Sequence, residues 1–441
     1  MASDFLRQLD QHNVHFLRVV WCDSGNVIRS KAIHRGVLAD RLHSGIGMSM
    51  AQQAIPVMVD AVAPGSGLGP VGEVWLTPDL ETLRYLPYAP RHARVMANIT
   101  YQGHPWPWCP REFLRRMVER AAAADLAIQA AFEPEFYLLR REEGQVLPAD
   151  ETNFAATLSM DIHAEVIDAI ADALIGQGIQ VEHYYPESGP GQQEISVRYG
   201  PALVAADQQV VLRETVKAVA RQHDLVASFI PKLLENAAGS GCHLHLSLWR
   251  HGENITPAAD GTLSPPAQAF TAGVLEHLPA LMALTVPSSN SYRRLRPQCW
   301  SGAFQCWGYD NREAAVRIPS NYEPPSPTHI ELKTVDASAN PYLALGAVIA
   351  AGLDGLERNL TLPAPMATDP ATLTEAARQQ QRASLLPQDL GVAIAALEQN
   401  GLLMEALGPL GQTYLAVRQA EWQAMEGLSL AQEVKLLLER Y

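Results

Sequence analysis

Two short alternating runs stand near the start of the chain, HFLRVVW (His15 to Trp21) and NVIRSKAI (Asn26 to Ile33), on either side of Asp23-Ser24-Gly25. The pattern predicts two strands joined by a tight connection, and so a small β-rich N-terminal domain. Residues 63–72, APGSGLGPVG, read as a glycine-rich loop, and the proline-rich stretch from Tyr88 to Pro110 reads as an inter-domain connection. The expected boundary falls near residue 105, giving domains 1–105 and 106–441. Beyond it, Pro110-Arg111-Glu112 opens a helix whose apolar positions Phe113, Leu114, Met117 and Val118 share one face. The strand-like run AIQAAFEPEFYLL follows. Further on, the pattern predicts a helix near 164–176, a strand running into His183, a helix near 203–223, and strands at VASFIPK and CHLHLSLW. Asn340-Pro341 then starts an apolar helix, with Asn as cap and Pro at its first position.

Composition narrows the class. At 441 residues with 47% hydrophobic side chains the chain can bury a large core. A formal charge of -14 argues against nucleic acid or an acidic membrane surface as the main partner. The N-terminus MASDFLRQLDQHN has an early acid and no apolar core of the kind a secretory signal carries. The longest apolar run, Tyr342 to Leu353, is too short to span a bilayer. Five cysteines with no C-x-x-C pair suit reduced thiols, so a cytoplasmic location is expected. GLGPVG (Gly67 to Gly72) mimics a dinucleotide fingerprint, but EVWLTPD follows where a helix should begin. None of the five lysines sits in a G-K-[S/T] phosphate loop.

The candidate chemistry lies in paired polar positions on otherwise apolar strands. Glu133 and Glu135 are two apart and share a strand face. His243 and His245 repeat the spacing in GSGCHLHLSLW, as do Glu331 and Lys333 in THIELKT. Glu187 and Glu194 bracket a Gly-Pro-Gly turn that can fold back and bring both acids together. A single such pair reads as a half-exposed strand, and a single histidine as a satisfied core residue. Several pairs together are harder to dismiss, because unpartnered buried charge is costly. Five carboxylates with one or two imidazoles suit Mg²⁺ or Mn²⁺ better than a thiolate-type zinc site. A second group is cationic: Arg293, Arg294 and Arg296 in NSYRRLRP, and Arg312 and Arg317 in DNREAAVRIP. Either these form a solvated basic surface or they recognise phosphates and carboxylates.

The ordered runs FEPEFYLL, PESGPGQQE, FIPK followed by GSGCHLHLSL, NSYRRLRP, DNREAAVRIP and ELKTVDASANPYLALGA resemble the glutamine synthetase family from Phe132 to about Gly355. The resemblance implies an α+β architecture, with a small N-terminal β-grasp domain and a large catalytic domain built on an antiparallel sheet with flanking helices. It implies Glu135, Glu187 and Glu194 as ligands of one Mg²⁺ or Mn²⁺, and Glu133, His243 and Glu331 as ligands of a second. His245, Arg312 and Arg317 resemble phosphate-contacting residues, Ser247 an ATP contact, Arg294 a contact for the glutamate carboxylate, and Gly239 part of the glutamate loop. ATP and a glutamate-like acid are the implied substrates, and Arg312, Arg317 and Glu194 the implied catalytic groups. A homo-oligomeric ring, a dodecamer by resemblance, is implied as well, with active sites completed by a neighbouring subunit.

The departures from the family pattern concentrate at the amine end. The family's Asn-Gly-Ser-Gly loop is Ala238-Gly239-Ser240-Gly241 here, and Lys333 stands where ammonia-using members place arginine. Their ammonium-binding segment aligns with GMSMAQQ (Gly47 to Gln53), without its Asp, and their flap glutamate aligns with Trp300. The adenylylation tyrosine of regulated bacterial members is missing, since no tyrosine lies between Tyr342 and Tyr414. Loss of acids that would bind and deprotonate ammonium, with gain of aromatics, points to a γ-glutamyl–amine ligase. The alternatives are an ammonia-using glutamine synthetase with a remodelled amine pocket and a catalytically silent regulator.

Overall fold

The computed structural model describes residues 2–322 and 326–441. The N-terminal part holds β1 (Phe16–Cys22), β2 (Ile28–His34), β3 (Ile46–Ser49), β4 (Glu73–Tyr85), β5 (His92–Tyr101) and β6 (His104–Pro105). They form one sheet in the order β2-β1-β5-β4-β3, with β6 on β5. β1 and β2 make the expected antiparallel hairpin, while β1 and β5 run parallel at the centre. The sheet buries its own core, including Leu17, Val19, Val74, Leu76, Val95 and Ile99.

One expectation is corrected here. The stretch from Tyr88 to Pro110 is only partly a connection, because His92–Tyr101 within it is a central strand. Its prolines lie outside that strand, Pro105 in the two-residue edge strand β6 paired to it. The covalent link is the short segment 106–109, whose Trp106 is buried against Trp108.

The large domain follows with β7 (Ala127–Glu142), β8 (Gln145–Pro148), β9 (Val181–Pro186), β10 (Gln192–Val197), β11 (Gly200–Pro201), β12 (Val226–Ser228), β13 (Cys242–Arg250), β14 (Glu253–Asn254), β15 (Phe304–Tyr309), β16 (Ala314–Ile318), β17 (Ile330–Leu332) and β18 (Ser384–Leu385). The main path runs β18-β15-β16-β17-β13-β7-β10-β9, with the shorter strands on β7 and β13. It is antiparallel except for the β15–β16 pair. The strand expected at VASFIPK lasts only three residues, because Phe229 to Pro231 leave the sheet and the Pro231 carbonyl accepts from Ser240 N. The helix expected from 164 begins at Thr157; its first turns alternate polar and apolar residues in TLSMDIH, which is not helical spacing.

Helices cover the core face of this sheet. Pro341–Glu357 is capped by the Asn340 side chain, which accepts from Tyr342 N and Leu343 N. It crosses Pro265–Thr285 closely at glycines. A Cβ on Gly273 would run into the Ala351 carbonyl oxygen, and one on Gly355 into that of Ala269. The two domains are pinned near the Asp23–Gly25 turn: Arg418, fully buried, donates to the carbonyls of Ser24 and Pro287 and pairs with Glu421, while Asn340 donates to the Asp23 carbonyl. Among the described residues, no single helix is long and apolar enough to cross a membrane.

The helix crossing yields a stability prediction. Gly273→Ala is expected to cost about 1–3 kcal/mol, because backbone on the facing helix must move to admit one methyl group. Gly401→Ala, where an added Cβ meets nothing within 4 Å, should be close to neutral in the same chemical denaturation series.

Candidate active site

Strand alternation builds the site. On β7, Phe132 and Phe136 enter the core, and Glu133 and Glu135 project from the other face. Strand register then fixes the neighbours. His243 on β13 lies opposite Glu133, Glu194 on β10 opposite Glu135, and Glu331 on β17 between His245 and Arg317. Cys242 points the other way and is buried in the core.

The Glu187–Gln192 turn folds back as its sequence suggests, with Glu187 N bonded to the Gln192 carbonyl. It lies so close to the sheet that a Cβ on Gly189 would overlap the Tyr137 hydroxyl. Gln192 Nε2 donates to Glu135 Oε2 at 2.8 Å, and Gly241 N donates to the same oxygen at 3.1 Å. A side chain at Gly241 would come within 2.8 Å of His243 Nε2, so the loop before β13 must be glycine there.

These strands bring together two compact sets, Glu135 with Glu187 and Glu194, and Glu133 with His245 and Glu331; each set offers ligand atoms within 4.8 Å of one another. His243 faces the second set too, its Nδ1 at 3.5 Å from Glu133 Oε2 and 3.3 Å from Glu331 Oε1. Both imidazoles thus address the same two acids. His183, on β9, joins Glu133 and Glu194 in a third such set and had no sequence signal beyond its place in a polar strand. Tyr185, also on β9, stacks on His183 and packs by Glu194 and Glu187.

The two sides of the chamber differ electrically. Burial, together with the Glu187 charge, pushes the Glu135 carboxyl up to about 7. Burial and the charges of Glu133 and Glu135 push Glu194 up to about 10, and its Oε1 has no hydrogen-bond partner. Burial also opposes ionisation of Glu331, but Lys333, His243, His245 and Arg317 outweigh it and hold that carboxyl at about 2. Glu133 is likewise held well below the usual range, burial being outweighed by His243 and His245. Carboxylates whose burial and mutual repulsion outweigh the nearby Arg294 and Lys333 charges thus lie beside carboxylates on which the cations prevail.

Two cavities meet here. The larger, about 830 Å³, holds both sets of acids, Gly239, Arg294, Trp300, Arg312, Arg317 and Lys333. The other, about 480 Å³, reaches Glu133 and His245 from the far side past Ser247, Tyr199 and Trp249. Arg294 is buried, donates to the carbonyls of Lys333 and Val335, and leaves its Nε free of partners. Lys333 is only 2% exposed and lies 3.3 Å from Glu331 Oε1 and 3.5 Å from His243 Nε2. Ser247 Oγ accepts from Trp249 Nε1 at 2.9 Å. Arg317 Nε is 2.6 Å from Glu331 Oε2. Arg293, by contrast, is spent on Glu433 and the Leu428 carbonyl.

Trp300 is 61% exposed at the mouth of the larger cavity, with Arg312 over its ring at 5.7 Å. The loop around it is held by Glu313, which accepts from Trp300 N at 2.8 Å and Gln298 N at 3.0 Å. Gly47 to Gln53, expected at the amine end, lies on β3 and the helical turn after it; among the described residues, none from 2–105 lines this cavity.

Comparison with known proteins bears on the whole chain. Residues 107–437 match the glutamine synthetase catalytic domain and residues 4–106 the glutamine synthetase N-terminal domain. Gamma-glutamylpolyamine synthetase GlnA3 of Streptomyces coelicolor is 39% identical over 440 residues, covering 97% of this chain and 94% of the relative. The glutamine synthetase of Thermus thermophilus is 34% identical, covering 95% of each chain. Among solved structures, a GmaS/ADP complex superposes with a TM-score of 0.87 at 29% identity over 98% of both chains. By sequence and fold alike, this chain belongs to the glutamine synthetase family of ATP-dependent ligases, which form γ-glutamyl amides.

Proposed function

We propose that the protein joins the γ-carboxylate of glutamate, or of a close analogue, to an organic amine through a γ-glutamyl phosphate, releasing ADP and phosphate. The observation that carries this reading is the exposed indole of Trp300 at the mouth of a chamber rich in acids and arginines. An apolar ring can cover the carbon skeleton of an amine or stack on its cation, whereas ammonium offers little surface to hold. The similarity to a gamma-glutamylpolyamine synthetase supports the same direction.

The donor chemistry fits divalent cations. Glu135, Glu187 and Glu194 present only carboxylate oxygens, one of them buried without a partner, as Mg²⁺ or Mn²⁺ would require. Glu133, His243 and Glu331 are read as the second set, with His245 close enough to share its acids. When bound, these ions neutralise the phosphates and polarise the oxygens of the transferring group. Arg312, Arg317 and His245 are read as bearing on the phosphates, Ser247 on the nucleotide, and Gly239 and Arg294 on the amino acid. The γ-carboxylate attacks the terminal phosphorus and ADP leaves; the amine nitrogen then attacks the acyl carbon and phosphate leaves. Activation is needed because a carboxylate itself is a poor acylating agent. Lys333, bound to Glu331 and His243, is read as setting the floor of the acceptor pocket.

The larger cavity receives nothing from the N-terminal domain of its own chain among the described residues. That supports a homo-oligomeric ring in which a neighbouring subunit brings Gly47 to Gln53 to the acceptor end. A catalytically competent monomer, found by pairing light scattering with phosphate release, would sink this assembly.

Three outcomes test the site. Glu135→Ala and His243→Ala should each abolish ATP-dependent phosphate release while the circular dichroism spectrum stays native, and near-normal turnover at saturating metal would refute the ligand roles.

The raised carboxyls give a pH dependence. Without metal, the folded chain holds protons on Glu135 and Glu194 that an unfolded chain, with carboxyls near 4.5, releases; stability therefore falls as pH rises from about 4.5, through about 7 for Glu135 and on to about 10 for Glu194. A divalent cation replaces those protons, so the gain in Tm from Mg²⁺ should be larger at pH 8 than at pH 6. An equal gain at both would count against the cluster as the metal site.

For the acceptor, the native enzyme should prefer at least one organic amine over ammonium by kcat/KM. Trp300→Glu should move that ratio toward ammonium by about tenfold or more, equivalent to about 1.4 kcal/mol. Preference for ammonium over every amine tested would make the enzyme a glutamine synthetase in the strict sense.

A further inference from the structure

A second charged cavity lies away from the active site, where β2 of the N-terminal sheet, the helix Ala202–Gln222 and the last residues of the chain meet. It measures about 340 Å³. Arg213 lines it and is only 2% exposed, yet its Nε and Nη1 are buried with no hydrogen-bond partner. Among the described residues no ion pair to it is formed. A guanidinium cannot shed its charge, so a partnerless one taken out of water is a standing cost that the fold must offset.

Glu214 and Glu439 line the cavity alongside Arg29, Arg213, Lys217 and Arg440, but among the described residues neither acid forms an ion pair with Arg213. Arg29 already holds the buried Asp23, and the Glu439 carboxylate is engaged by Arg141. Glu214, the next residue on the same helix, shares the cavity wall and acts on Lys217, yet consecutive helical positions do not pair and it makes no ion pair with Arg213. Lys217, one turn on, also lines the cavity; its ammonium is pushed down to about 7 by burial and by Arg213, with Nζ donating to the Glu439 carbonyl. A buried guanidinium without an ion-pair partner and a lysine that an anion would help to keep protonated thus share one small space, in a chain whose net charge is -14.

We propose that this cavity binds a small multivalent oxyanion of the phosphate or dicarboxylate class, held by the fork of Arg213 with Lys217 beside it. Planar two-point binding of an oxyanion is what a guanidinium does best. The occupant would tie the hairpin of the N-terminal sheet and the C-terminal residues to a helix that packs on β7, the strand bearing Glu133 and Glu135.

The test compares the native full-length protein with Arg213→Met, which keeps much of the volume and removes the charge, and with Lys217→Gln. In dilute buffer without multivalent anions, Arg213→Met should melt higher than the native chain. Added inorganic phosphate or succinate should raise the native Tm saturably and leave the variant with only the part due to the catalytic cavity. Comparing the two ligands separates the phosphate source from the dicarboxylate source. Lys217→Gln should fold and bind about tenfold more weakly, a loss of about 1.4 kcal/mol. Crystals grown with selenate should show anomalous density beside Arg213 in the native protein and none there in Arg213→Met. Density confined to the catalytic cavity, or identical anion-dependent shifts in native and Lys217→Gln proteins, would overturn the proposal.

Discussion

Like charge on one strand face, opposed by hydrophobic core on the other, is the constraint that organises this molecule. Glu133 and Glu135 cannot turn away, because a one-residue slip of β7 would send Phe132 and Phe136 into the chamber and both acids into the core. Their mutual repulsion has to be met by what the neighbouring strands bring. On one side the protein brings His243, His245, Lys333 and Arg317, and Glu133 and Glu331 ionise readily. On the other, Glu187 and Glu194 join Glu135, and burial with their mutual repulsion outweighs the Gly241 amide and the charges of Arg294 and Lys333, so the carboxyls there resist ionisation. One chamber therefore contains a self-compensated half and a half that calls for cations from solution, a division suited to a reaction that moves a phosphoryl group.

Much of this was legible in the sequence, because strand alternation is a local property. The spacing of Glu133 and Glu135, of His243 and His245, and of Glu331 and Lys333 shows on its face which side chains look the same way. The glycines around Glu187 and Glu194 likewise announce a turn. Register between strands is not local. Whether His243 or His245 sits nearer the acids depends on how β13 slides against β7 and β17, and the structure shows both in reach. His183 and Tyr185 escaped notice because β9, VEHYYP, has neither an apolar face nor a paired-acid spacing to mark it. The central strand His92–Tyr101 was hidden among prolines that flank it.

The family resemblance reached further than residue chemistry could, giving the two-domain plan and the ligase class, which the family matches and the sheet architecture bear out. Chemistry read from the residues adds what the family alone leaves open. Within one fold, glutamine synthetases and a gamma-glutamylpolyamine synthetase are comparably similar to this chain. The shared scaffold therefore does not distinguish one acceptor from another.

The loop that carries Trp300 is fastened through its backbone. Glu313 grips the amides of Gln298 and Trp300, and Ser301 Oγ accepts from Arg296 N and donates to the Arg296 carbonyl, so these backbone ties hold the loop independently of the indole, which adds its contact with the Arg312 guanidinium. The identity of residue 300 can drift while the mouth keeps its shape. If Trp300 meets the amine as proposed, a lineage could pass from one acceptor to another by exchanging a single side chain, with no interval in which the chamber of acids is lost.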